Sequence, residues 1–381
     1  MFSATVLYFS GDPASVGENV DGVLLVPTDA NEIILDGSAG SRYTLLVLSD
    51  GSAAAGGIID SADNYRGHLG TLDWVEGLNE LQVITSYFDV TGNELSSPPI
   101  MTQVFAGVEG ADCSCLIHSV FIDIDGNVYA SGNNDNGQLC LGDTDSRLSP
   151  QQIDLPAPAV SAAVGADFTF ILTADGKVYG CGSNLNGQLG LGPSVESTLL
   201  PDDGNGLSEV LSVSAGANFA LFKTNSGLFV TGDNTYGQLC IDPTTSIVDT
   251  PSLLADVEGK SVKRFEAGYQ SSYLLFGMDG SVAACGLNDV GQLGDGTTDS
   301  KSRTAVLIPN ADPIINLGVG SSADSAFFLS EDNVYATGLN DVGQLGIDDT
   351  VTDVSTPTDV VFTESALLYG ISPGDSQTLF W

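Results

Sequence analysis

Positively charged residues are scarce. The chain carries 10 Lys and Arg against 49 Asp and Glu, a formal net charge of −39. A surface of that sign repels phosphate backbones and anionic lipid, so binding to nucleic acid or to a membrane surface is disfavoured. With 2 histidines, the chain has little of the commonest general base and metal ligand. No apolar run approaches the ~20 residues of a membrane span. Residues 1–10 lack a basic n-region and are broken by polar side chains, so no secretory signal is expected. The six cysteines, Cys113, Cys115, Cys140, Cys181, Cys240 and Cys285, are too sparse for a disulfide scaffold in 381 residues.

What is present is glycine and repetition. Hydrophobic residues make up 42% of the chain, which places it among globular proteins. Its 46 glycines concentrate at turns, as in folds of many short strands. Gly132 opens the run Gly-Asn-Asn-Asp-Asn-Gly-Gln-Leu-Cys, Gly182 opens Gly-Ser-Asn-Leu-Asn-Gly-Gln-Leu-Gly, and Gly232 opens Gly-Asp-Asn-Thr-Tyr-Gly-Gln-Leu-Cys. Gly286 and Gly338 both open Gly-Leu-Asn-Asp-Val-Gly-Gln-Leu-Gly. These anchors stand 50, 50, 54 and 52 residues apart, and a shared motif at a near-constant period marks a repeat architecture. Upstream of each lies a pair of apolar runs around a tight turn, such as Asp125-Gly126, Asp175-Gly176 or Asp279-Gly280, which is a β-hairpin signature. With a polar loop and one further apolar run, each repeat supplies about four short strands, the content of a propeller blade.

The ends complete the count. The hairpin around Asp50-Gly51 and the run Asn64-Tyr65-Arg66-Gly67-His68-Leu69-Gly70 form a degenerate copy. Val6 to Gly11 looks like the second strand of a hairpin, and Gly374 to Trp381 like its missing first strand. From Gly338 through the C-terminus and round to Gly11 is 54 residues, one period. The expected fold is therefore all-β. It is a single domain over residues 1–381: a seven-bladed β-propeller of four-stranded antiparallel blades, closed by pairing of the N- and C-terminal strands. The wrap-around count argues against a separate sandwich over residues 1–105.

The Gly-x-Asn-x-x-Gly-Gln-Leu-Gly motif after an Asp-Gly-x-Val-Tyr hairpin resembles the regulator-of-chromosome-condensation repeat family. The resemblance covers five clear copies, one degenerate copy and one split across the termini. It implies protein recognition by loops on a propeller face. Members of that family include a guanine-nucleotide exchange factor for a small nuclear GTPase and a secreted β-lactamase inhibitor. The net charge and the missing basic tail set this chain apart from the chromatin-bound exchange factor.

The residues shared by every repeat read as structural. Asn134, Asn184, Asn234, Asn288 and Asn340 suit Asx turns, and Gln138, Gln188, Gln238, Gln292 and Gln344 suit buried backbone groups. Asp123-Ile124-Asp125-Gly126-Asn127 fails as a calcium loop, because Val128 stands at position six and Asn134 at position twelve. Asp143 with Asp145, Asp295 with Asp299, and Asp348 with Asp349 remain candidate Ca2+ ligands on a rim; no other cofactor is expected. Cys113-x-Cys115 with His118 lacks a fourth zinc ligand. Cys140 and Cys240 share one repeat position and Cys181 and Cys285 another. Equivalent positions on non-adjacent blades do not meet, so all four are expected to be small core residues. No nucleophile elbow, phosphate loop or metal-binding helix is present, and no catalysis is expected.

The irregular step, 75 residues from Gly57 to Gly132, is where function is expected. Residues 58–106 read as an enlarged insertion or hairpin projecting from the disc. Tyr65, Arg66, Trp74, Tyr87 and Phe88 are its candidate partner-binding residues. The expected function is a non-catalytic, protein-binding structural or adhesive component of a virion, filament or cell surface, within a larger assembly. The alternative is a soluble regulator or inhibitor of one globular partner, such as a GTPase or an enzyme.

Overall fold

The computed structural model describes residues 7–11, 24–26, 33–41, 43–57, 67, 69–70, 78–108, 117–254, 261–277, 279–347, 352–362, 370–374 and 377–381. They form seven four-stranded antiparallel sheets. Six are blades of four consecutive strands, numbered here in chain order. Blade 1 holds Ile34–Ala39, Tyr43–Leu48, Ala53–Gly57 and Leu78–Val83. Blades 2 to 6 span 101–152, 159–202, 210–253, 262–305 and 316–359. The remaining sheet, blade 7, joins Leu7–Gly11 and Leu24–Val26 from one end to Ile371–Pro373 and Gln377–Phe380 from the other. Phe9 pairs with Leu379 and Ser10 with Thr378, which is the closing hairpin that the period requires, with the chain termini in place of its turn. The first strands of successive blades contact one another all the way round, so the ring has no free edge sheet.

Blade 3 shows why the repeat folds as it does. Phe168–Thr173 and Val178–Ser183 are buried along their whole length, as strands sandwiched between two neighbours must be. The loop Ala174-Asp175-Gly176 places Gly176 at φ +78°, the left-handed residue such a hairpin needs. At the motif, Asn184 Oδ1 accepts the Leu189 N–H at 2.8 Å, and its Nδ2 donates to the Val195 carbonyl at 2.7 Å. Gln188 Oε1 accepts the Asn186 N–H at 2.8 Å. The Asn bond to the leucine N–H recurs at Asn134, Asn234, Asn288 and Asn340, all buried. The shared side chains are thus consumed in holding the loop.

That loop also packs onto the following blade. A Cβ on Gly187, at φ +73°, would lie 2.7 Å from Asp249 Cα on the outer strand of blade 4, so only glycine fits. Blades also meet through apolar packing: one core cluster joins Val120 and Leu139 of blade 2 to Ile171 and Cys181 of blade 3. Phe380 of blade 7 stacks edge-on against Phe327 of blade 6 at 5.5 Å.

Two expectations are corrected. Cys140, Cys181, Cys240 and Cys285 are buried in the core as expected, but they are bonded in pairs. Cys140 bonds Cys181 and Cys240 bonds Cys285, with Cα separations of 5.4 and 5.3 Å. The partners occupy different repeat positions on adjacent blades, 2 with 3 and 4 with 5, a pairing that comparing equivalent positions misses. Nor is the described stretch 78–106 of the expected insertion a projecting hairpin; most of residues 58–77 lie outside the described residues. Leu78–Val83 is the outer strand of blade 1, and Met101–Ala106 is the innermost strand of blade 2. Between them, Phe88 and Glu94 pair around a turn capped by Asp89, and Phe88 also bridges to Gln151 on the outer strand of blade 2. Residues 78–106 are therefore held to blades 1 and 2.

Candidate functional site

The innermost strands surround a central channel holding a cavity of about 520 Å³. An innermost strand leaves one row of backbone groups facing the channel and the next blade, and side chains satisfy them. Asp36 Oδ2 accepts the Val104 N–H at 2.9 Å, Ser38 Oγ accepts that of Ala106 at 2.9 Å, and Ser214 Oγ accepts that of Ala267 at 3.0 Å. At the closure, Ser372 Oγ accepts the Ala39 N–H at 2.9 Å. The wall is hydroxyl-rich, with Ser161, Ser212 and Ser321 alongside these.

Two carboxyls of the innermost strands are perturbed: Glu266, in the cavity wall, and Asp36, on the first strand of blade 1. Burial pushes Asp36 up to about 6, against the hydrogen bonds from Val104 and Gly37. Burial pushes Glu266 up to about 7, against the charge of Arg264 and the Ser214 hydroxyl, which donates to Glu266 Oε2 at 3.3 Å. The hydroxyls and carboxyls of the channel can bind a polar group.

The two faces differ. The motif loops occupy one. The other carries the hairpin turns and the starts of the innermost strands. Exposed acids stand at the hairpin turns of five blades: Asp50, Asp125, Asp175, Asp279 and Asp332. On the same face Lys177 is tied to Asp203 at 2.6 Å.

The sequence-expected residues are placed as follows. Tyr87 is 1% exposed and packs edge-on against Tyr129 at 5.6 Å, so it is a core residue and not a contact anchor. Phe88 is partly buried; its N–H donates to the Pro150 carbonyl and its carbonyl accepts the Gln152 N–H, each at 2.9 Å, which fixes it to blade 2. Tyr65, Arg66 and Trp74 lie outside the described residues, as do Asp348 and Asp349 and the pair Cys113 and Cys115. The Asp143 carboxylate pairs with Arg147 at 2.7 Å and caps the Asp145 N–H at 2.9 Å. Partial burial would raise its pKa, but these bonds outweigh that and hold it below the usual range. Asp295 is spent on Thr297, and Asp299 faces Lys301 at 3.5 Å. Among the described residues no three His, Cys, Asp or Glu side chains are placed to share a metal ion. His118 is fully buried; burial drives its pKa down to about 3, and Nε2 shares a 2.8 Å hydrogen bond with Thr169 Oγ1 of blade 3. It joins blades and stays neutral. Among the described residues no helix is long and apolar enough to cross a membrane.

A closed ring whose repeated polar residues are all used internally, with two unlike faces and a polar bore, defines a propeller scaffold of the kind that presents loops for recognition. Residues 125–172 and 175–222 match the model of the regulator of chromosome condensation (RCC1) repeat, and 159–188 and 210–238 match a second model of that repeat. The chain belongs to the RCC1 repeat family. It is 30% identical over 260 residues to the ultraviolet-B receptor UVR8 of Arabidopsis thaliana, covering 66% of this chain and 58% of that protein. It is 33% identical over 275 residues to the probable E3 ubiquitin-protein ligase HERC4 of Homo sapiens, covering 69% of this chain and 25% of that protein. The chain thus spans little more than half of the first relative and a quarter of the second. Its fold matches that of Prp20p from Saccharomyces cerevisiae, solved in a study of its binding to Gsp1p and histones, with a TM-score of 0.80, 18% identity and coverage of 100% and 92%.

Proposed function

We propose that this chain is a non-catalytic regulator that captures one globular protein on a face of its propeller. The observation that carries this reading is where the side chains go. The motif Asn and Gln residues are buried in their own loops, which leaves recognition to the exposed residues of the two faces. The names of the relatives, a receptor and a ligase, and the partners in the Prp20p title support a regulator. They lend nothing to a structural or adhesive part of a virion or filament, and that first expectation gives way to the alternative. The net charge of −39 argues for a protein partner over nucleic acid. The two disulfides support a working place more oxidising than the reducing cytosol. The test is affinity capture from the native source followed by titration of the captured protein. A saturable complex of fixed stoichiometry is expected; a chain that retains nothing saturably, or that self-assembles into ordered arrays, sinks the reading.

A further inference from the structure

The innermost strands of blades 1 to 5 each begin with a β-bulge. In blade 1, Ile34 pairs with Leu48 and Asp36 with Val47, which leaves Leu35 without a partner. The same slip frees Thr102 in blade 2, Val160 in blade 3, Leu211 in blade 4 and Lys263 in blade 5. Ile315 stands at this place in blade 6, directly before its first strand. A bulge re-aims the extra side chain away from the ladder, and here it turns outward. Leu35 is 55% exposed, Val160 47%, Leu211 57% and Ile315 51%. Their neighbours Ile34, Ala159, Val210 and Ile314 are buried. All these strands run in the same direction around the channel, so the bulges gather at one mouth, inside the ring of acidic hairpin turns.

Single exposed apolar residues need no account, but a repeated apolar position on one rim does. An apolar centre rimmed by charge is the anatomy of a recognition surface. We propose that this mouth docks a basic protein segment carrying an apolar anchor side chain. Leu35, Val160, Leu211 and Ile315 take the anchor, and the acidic turns set the sign of the flanking charge. This rests on the protein-binding reading above and narrows it to one face and one partner chemistry.

The probe is a short synthetic peptide with lysines around a Leu-Phe pair, beside a peptide of equal charge with Ser-Ser in its place. At physiological salt the full-length chain should bind the first about tenfold more tightly, the gain of a few buried methylenes. The variant Leu35→Ser/Val160→Ser/Leu211→Ser/Ile315→Ser should lose that preference and keep its thermal unfolding, since all four side chains are exposed. A matched variant of the motif-loop face, Leu185→Ser/Val342→Ser, should keep it. Equal binding of the two peptides, or an equal loss of preference in both variants, overturns the proposal. So does a native partner that survives the mouth variant and is lost with the motif-loop variant, a result that would leave the protein-binding reading standing. If the wild type captures no native partner, that reading falls, and the peptide comparison still decides whether the mouth binds basic apolar segments.

Discussion

The joint between blades 2 and 3 and the joint between blades 3 and 4 are built at the same two repeat positions with different chemistry. One position follows Gly-Gln-Leu; the other precedes the anchor glycine of the next blade. At joint 2–3 they hold Cys140 and Cys181, bonded to each other. At joint 3–4 they hold Gly190 and Thr231, and the Thr231 hydroxyl donates to the Gly187 carbonyl at 2.8 Å. The alternation continues: Cys240 with Cys285 at joint 4–5, then Gly294 and Thr337 at joint 5–6, where the Thr337 hydroxyl donates to Gly291 at 2.9 Å. The covalent joints place cysteine where a glycine backbone is preferred: Cys140 and Cys240 both stand at φ +60°. A non-glycine residue there costs about 1 kcal/mol or more, less than a disulfide over such a loop returns. Blade 7 is the sheet built from both ends of the chain. It closes by strand pairing, by the Ser372 bond to Ala39 and by aromatic packing.

These differences can be broken or sharpened, starting with the largest effect. Deleting residues 377–381 removes the closing strand with the buried Leu379 and Phe380. It should abolish single-transition unfolding and leave open rings that aggregate, read by calorimetry and light scattering; an unchanged transition would refute closure as a source of stability. Next, Cys140→Ser/Cys181→Ser should cost about 2–4 kcal/mol in denaturant titration, with the same loss on reducing the wild type at that joint. The converse, Gly294→Cys/Thr337→Cys, tests whether the joints are interchangeable. The nearest atom to a Cβ at Gly294 is 3.1 Å away, a mild overlap, and an oxidised staple there should raise stability by about 1–3 kcal/mol. Thr231→Val leaves the Gly187 carbonyl without its hydroxyl donor and should cost about 1 kcal/mol.

The smallest effect is in the channel. The folded carboxyl of Glu266 titrates at about 7, above its ordinary 4.5. Its charged form is therefore penalised, and that cost grows as pH rises from about 4.5 to 7. Glu266→Gln should be the more stable protein at pH 8, by on the order of 1 kcal/mol because the cavity is open to solvent, and the gap should close at pH 4. A gap that grew on acidification would show that the carboxylate is held charged.

Much of the architecture was readable from local pattern. Hairpin turns, motif loops and the period follow from residues close in the chain, and Asn184 and Gln188 act within their own loop as a repeated residue should. The closing pair Phe9 and Leu379 was readable too, because a period that runs past both ends implies its missing half. The site was less legible. Tyr87 and Phe88 stood out as aromatics in the irregular step, yet an aromatic in a long connection can as well fill a gap under it, and Tyr87 does. Two motifs ending in Cys where the others end in Gly was a signal for the disulfides, but it names no partner without the neighbouring blade.

The sequence by itself determined the period, the four strands of each repeat and the meeting of the two ends, since each follows from turn chemistry and from alternation along one stretch of chain. Only the tertiary structure decided which cysteines meet, which acids are spent on neighbours, and that Leu35, Val160, Leu211 and Ile315 face outward together. Those facts depend on how one blade lies against the next and on a one-residue slip in register, and neither is written in the order of residues within a blade.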